Sequence, residues 1–144
     1  MALDGLVISH IVHELKTNIL DGRINKINQP EKDELVLTIK SNRQQYKLLL
    51  SANPSLPLVY FTNENSVNPM VAPNFCMLLR KHLNSAKIVD IVQPNFERII
   101  DIKIEHFDEL GDLCYKHLII ELMGKHSNII FTDDNNIIID SIKH

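Results

Sequence analysis

The chain has 144 residues, 44% hydrophobic and 23% charged, which suits one soluble domain with a single core. Its 15 Lys and Arg against 18 Asp and Glu leave a formal net charge of -3. That excludes a chain that coats nucleic acid nonspecifically and confines any RNA contact to a local basic patch.

Asp4 to Leu20 reads as a helix. Ile8, Ile11, Val12, Leu15 and Ile19 recur at three- and four-residue spacing and form one apolar face. Asp4 stands where a side-chain oxygen accepts from free N–H groups, and Gly22 suits the left-handed close. Strands follow. Arg23 to Gln29 alternates, with a spacing between Ile24 and Ile27 that asks for a bulge. Glu34 to Lys40 alternates through Leu35, Leu37 and Ile39. Tyr46 to Leu50 and Leu58 to Phe61 complete a set joined by short turns, which predicts an antiparallel meander.

Thr62 to Pro73 is a polar loop. It leads to a second helix, about Asn74 to Asn84, with Phe75, Leu78, Leu79, His82 and Leu83 inward and Met77, Arg80, Lys81 and Asn84 outward. Strands resume at Ile88 to Gln93 and at Arg98 to His106, with an acidic turn over Phe107 to Asp112. Tyr115 to Met123 and Asn128 to Thr132 flank a connection, and Asp133 to Asn136 is a turn before Ile137 to Ile142. The result is an α+β domain: a mostly antiparallel sandwich or partly closed barrel with two helices.

No apolar run approaches the roughly 20 residues of a membrane helix. The start, Met1-Ala2-Leu3-Asp4-Gly5, lacks a signal peptide's basic region and cleavage site. Cys76 and Cys114 lie far apart, and neither has a CxxC partner. This predicts reduced, buried thiols in a cytoplasmic protein. No metal constellation is present: His10 and His13 lie a helical turn apart with no third ligand and no HExxH. GxSxG, Walker A and GxGxxG are all absent. No catalytic residue and no cofactor is predicted.

The stretch richest in chemistry is Glu121-Leu122-Met123-Gly124-Lys125-His126-Ser127-Asn128-Ile129-Ile130. Apolar runs flank a glycine that permits positive φ or a close backbone approach. Lys125 and His126 then offer cationic or donor groups to an anion. The plainer reading is a hairpin turn.

This decamer, with Phe75-Cys76-Met77-Leu78-Leu79-Arg80-Lys81-His82-Leu83 upstream, closely resembles the N-terminal domain of the NFACT family, the RqcH/NEMF ribosome quality-control proteins. Many bacterial members carry the name fibronectin-binding protein. The resemblance covers residues 1–144 as an NFACT-N domain, the first part of a longer multidomain protein. It implies a fold similar to the N-terminal domain of formamidopyrimidine-DNA glycosylase. Those enzymes use an N-terminal proline amine and an adjacent glutamate, where this chain has Ala2 and Leu3. Without that carboxylate, glycosylase chemistry is not expected.

The resemblance also implies a tRNA-binding site. Asp4 matches an aspartate near the start of helix 1, and Glu97-Arg98 matches an Asp-Arg pair, here with glutamate. Lys125, between Gly124 and His126, stands where arginine is usual. Expected partners are tRNA, alanyl-tRNA in particular, and a large ribosomal subunit holding peptidyl-tRNA. The ribosome would make the bond, with template-free alanine tailing as the outcome. The competing class is a fibronectin-binding surface adhesin, which the lack of an export signal disfavours. Locally, Asp4 also works as a cap worth about 1 kcal/mol, and Glu97-Arg98 as an exposed pair worth roughly 0–1 kcal/mol.

Overall fold

A computed structural model describes residues 4–144. Helix α1 spans Gly5–Ile19, and Asp4 caps it: its carboxylate accepts from the Val7 N–H at 3.0 Å. Four strands follow, β1 (Arg23–Glu31), β2 (Glu34–Ser41), β3 (Gln44–Ser51) and β4 (Leu58–Thr62). Helix α2 (Asn74–Leu83) leads to β5 (Lys87–Val92), and a 3-10 turn at Pro94–Phe96 leads to β6 (Ile99–Phe107). Then come β7 (Leu113–Glu121), a second 3-10 turn at Gly124–His126, β8 (Asn128–Asp133) and β9 (Ile138–Ser141).

All strand pairs among the described residues are antiparallel, in one sheet of order β4-β3-β2-β1-β5-β6-β7-β8-β9. The sheet is not closed. Its two halves meet at a single register pair, Arg23 with Lys87. The class, the antiparallel pairing and the two helices agree with the sequence reading. The bulge in β1 falls between Ile24 and Lys26, as the spacing asks.

One core joins everything. From α1, Ile8, Val12, Leu15 and Ile19 pack with Leu37 and Ile39 of the first half and Ile91 and Ile102 of the second. The inner face of α2 is Phe75, Cys76, Leu79 and Leu83. Leu78 is only half-buried, and Cys76 takes an inward place instead. Its thiol lies 3.5 Å from the Ile27 carbonyl, and burial pushes its pKa up, outweighing the nearby Arg80 charge, which lowers it.

Both cysteines are free thiols. Cys114 departs from expectation in being half-buried. It sits at the edge of β7, where the core thins, with Sγ 3.1 Å from His106 Nε2.

Candidate functional site

Three distant segments meet at the end of the molecule where α1 begins. Gln93 is their clamp. Its side-chain amide donates to the Gly5 carbonyl and to the Glu97 carbonyl, both at 2.8 Å. It thus ties the first turn of α1 to the segment entering β6. The Leu122 N–H donates to the Arg98 carbonyl at 2.9 Å, extending the β6–β7 ladder. Leu122 lies two residues before Gly124, so the strand that enters the Lys125 turn is anchored to Arg98.

Between Gln93 and Glu97 the backbone makes an uncommon turn. Asn95 and Phe96 take φ of 50° and 57°. Asparagine tolerates the left-handed region, whereas an aromatic residue there is unusual and needs surrounding support. Gly5 is part of that support. A Cβ on Gly5 would fall 2.5 Å from the Phe96 carbonyl oxygen and 2.6 Å from its ring. Only glycine lets this turn close on the helix. Phe96 nevertheless stays 62% exposed, so one side of its ring faces outward at the site.

The Gly124–His126 segment is a 3-10 turn within the β7–β8 connection. Gly124 has φ of +57° and open space where a Cβ would stand, so glycine serves backbone conformation here, not close approach. Ser127 is buried, and its Oγ accepts from the Met123 N–H at 2.8 Å, closing the turn. Asn128 Oδ1 accepts from the Lys143 N–H at 3.1 Å, pinning the segment after β9. The serine and asparagine of the stretch are therefore structural. Its exposed members are Lys125 and His126.

Asp4, Glu97, Arg98, Lys125 and His126 are all exposed. No ion pair among the described residues includes Arg98 or Lys125. Asp4 spends one carboxylate oxygen on Val7, and the other has no partner among the described residues. Two cations, Arg98 and Lys125, and two carboxylates, Asp4 and Glu97, thus stand exposed at or next to element ends whose backbones are tied together, and exposed cations of this kind can meet a polar, anionic ligand.

Sequence reasoning missed Gln93, Asn95 and Phe96. The dipeptide Pro94-Asn95 is a legible turn signal. The left-handed Phe96 is not, because only packing against Gly5 explains it. Ala2 and Leu3, which bear on the glycosylase question, lie outside the described residues. A cleft of about 310 Å³ lies elsewhere, between α2 and the β6–β7 turn. There the Lys116 ammonium is 3.2 Å from His106 Nε2.

Comparison with known proteins places the chain in a family. Residues 4–144 match the family described as NFACT N-terminal and middle domains, and the chain belongs to it. It is 46% identical over 145 residues to a Streptococcus suis protein named Rqc2 homolog RqcH, covering 100% of this chain and 26% of that protein. A Bacillus subtilis protein of the same name is 43% identical, with 100% and 25% covered. The human ribosome quality control complex subunit NEMF is 26% identical over 133 residues, with 92% and 12% covered. The chain spans about a quarter of the length of its bacterial curated relatives.

Two crystal structures superpose closely. One is the N-terminal domain of fibronectin-binding protein PavA from Streptococcus pneumoniae, with TM-score 0.95, 45% identity, and 99% and 54% of the two chains covered. The other is the fibrinogen binding protein from Staphylococcus aureus, with TM-score 0.91, 40% identity, and 100% and 51% covered.

Proposed function

We propose that this domain is the tRNA-binding module of a ribosome quality-control factor of the RqcH type. In this reading the full-length protein engages a large ribosomal subunit obstructed by peptidyl-tRNA. It recruits alanyl-tRNA for template-free C-terminal alanine tailing, and it acts in the cytoplasm. The domain binds and positions; the ribosome makes the peptide bond, so no residue of this chain is catalytic and no cofactor is required.

The observation that carries the reading is the junction at the start of α1. Gln93 ties the backbone beside Asp4 to that of Glu97, and the Leu122–Arg98 hydrogen bond ties the strand before the Lys125 turn to Arg98, which supports a single site; Arg98 and Lys125 have no ion-pair partner among the described residues. In this reading the cations meet phosphate, and the carboxylates orient them or accept from base amino groups. The names of relatives as ribosome quality-control proteins support the same assignment.

A charge series at Lys125, measured as tRNA affinity of the full-length protein, tests it. Lys125→Glu should bind more weakly than Lys125→Ala, because repulsion adds to the lost contact. Lys125→Arg should bind as well as the parent or better, since arginine offers a bidentate fork. Equal affinity across the series would remove Lys125 from the site. The rival reading, a fibronectin-binding adhesin, is favoured by the names of solved relatives. Finding the protein on intact cell surfaces instead of ribosomes would decide for it.

A further inference from the structure

The two halves of the sheet carry charge differently on their outer faces. In the second half, cations and acids face each other across strands. Lys87 is paired with Glu105, Asp90 with Lys103, and His117 with Asp101 at 2.8 Å. In the first half the outward rows, taken from the Arg23 end, are Arg23–Lys40–Gln45, Lys26–Thr38–Lys47, Asn28–Val36–Leu49 and Glu31–Glu34–Ser51. The first three rows hold four cations and not one carboxylate, and both glutamates stand together in the fourth, at the far end of the strands. None of the four cations belongs to an ion pair among the described residues. In a chain of net charge -3, this is a local concentration of unpaired positive charge.

The face also has relief. Glu64 to Asn68 in the loop after β4 walls a cleft of about 240 Å³ floored by Lys26, Asn28, Thr38 and Lys47. Lys47 Nζ bonds Asn65 Oδ1 across it. Glu64 is the only carboxylate in that lining. A second cleft of about 300 Å³ shares Lys26 and Asn28 and continues to Arg80 and Asn84 of the α2 end. Arg80 is set there by hydrogen bonds to the Ile27 carbonyl at 2.8 Å and Asn28 Oδ1 at 3.0 Å. The two clefts form one trough, lined by cations and by amide side chains that both donate and accept.

We infer that this trough and the face around it bind the backbone of a double-helical ribosomal RNA segment. Spaced lysines suit phosphates, and asparagine and glutamine suit the 2′-hydroxyls displayed in the shallow groove of an A-form helix. The commitment to ribosomal RNA rests on the proposed ribosomal role and on placement. Arg23 follows the C-terminal end of α1, while the candidate tRNA site lies at its N-terminal end. Fifteen helical residues separate the two ends by about 22 Å. One helix thus spaces two RNA-facing surfaces, and the domain stands between a tRNA and the ribosome.

The test uses the full-length protein with Lys26→Glu/Lys40→Glu, Lys26→Gln/Lys40→Gln and Arg98→Ala variants. Both lysines are exposed, and the melting temperature of each variant should match the parent. Affinities are measured for vacant large ribosomal subunits and for free tRNA across a salt series. The charge-reversal pair should weaken subunit binding about tenfold and lower its salt slope by about two, leaving tRNA affinity within about twofold. The neutral pair should fall between it and the parent, and Arg98→Ala should affect tRNA alone.

Unchanged subunit binding in both lysine pairs, or equal losses toward subunits and tRNA, would overturn the inference. If the parent binds subunits with this lysine dependence but does not bind tRNA, the proposed tRNA function fails and the ribosomal face stands.

Discussion

At the scale of single residues, Asp4 carries two duties that substitution separates. Its carboxylate caps α1 through Val7, and one oxygen has no partner among the described residues. Asn keeps a capping oxygen and loses the charge; Ala loses both. Asp4→Ala should destabilise the domain by about 1 kcal/mol, whereas Asp4→Asn should leave stability near the parent. A fall in tRNA affinity in Asp4→Asn, at unchanged melting temperature, would assign the charge to binding.

His117 is a second separable case. Burial opposes its charge, but the Asp134 and Asp101 carboxylates accept from its two ring nitrogens, each at 2.8 Å, and raise its pKa overall. A raised folded pKa means the imidazolium stabilises the fold fully below the unfolded value, near 6.5. That contribution disappears as pH climbs through the folded value. The stability lost in His117→Gln should therefore be larger at pH 6 than at pH 9, as read by denaturant midpoints. In NMR titrations His117 should move above 6.5. His82 and His106, lowered by burial and then by Lys116, should move below it.

At the scale of elements, the site depends on how α1 meets the β5–β6 connection. Gly5→Ala places a methyl group against backbone, the Phe96 carbonyl, so the turn must shift. Nothing else in the core requires that glycine. The variant should fold with intact α1 and weaken tRNA binding, and a Phe96-directed fluorine or methyl probe should report a changed environment. Unchanged tRNA affinity would mean that the placement of Glu97-Arg98 relative to α1 does not matter.

At the scale of the whole molecule, an open sheet with two halves has its weakest strand pairing at Arg23–Lys87. The core argues against separation there, because α1 packs against β2, β5 and β6 at once. Phe131 on β8 is fully buried within the same cluster. Phe131→Ala should cost about 3–5 kcal/mol. Hydrogen exchange should then show β1–β4 and β5–β9 losing protection together. Separate losses would contradict a shared core.

Much of this architecture is legible in the chain itself. Periodicity marks both helices and the nine strands because burial on one face repeats every 3.6 or every 2 residues. The cap at Asp4, the bulge after Ile24 and the Asp133 turn, with its carboxylate accepting from Asn135 and Ile137, are local chemistry within a few residues. The stretch from Gly124 to His126 was visible as a connection with exposed cations.

What the tertiary structure alone decided depends on partners distant in sequence. Gln93 reaches Gly5 across 88 positions. Phe96 holds a left-handed turn only because a glycine from the first helix lies beneath it. The unpaired lysines of β1, β2 and β3 become one face only when register places Lys26, Thr38 and Lys47 side by side. Local patterns are written by short-range sterics and solvation, which the chain carries at each position. Sites are written by register and by close approach, which exist only once the open sheet has packed against the helices.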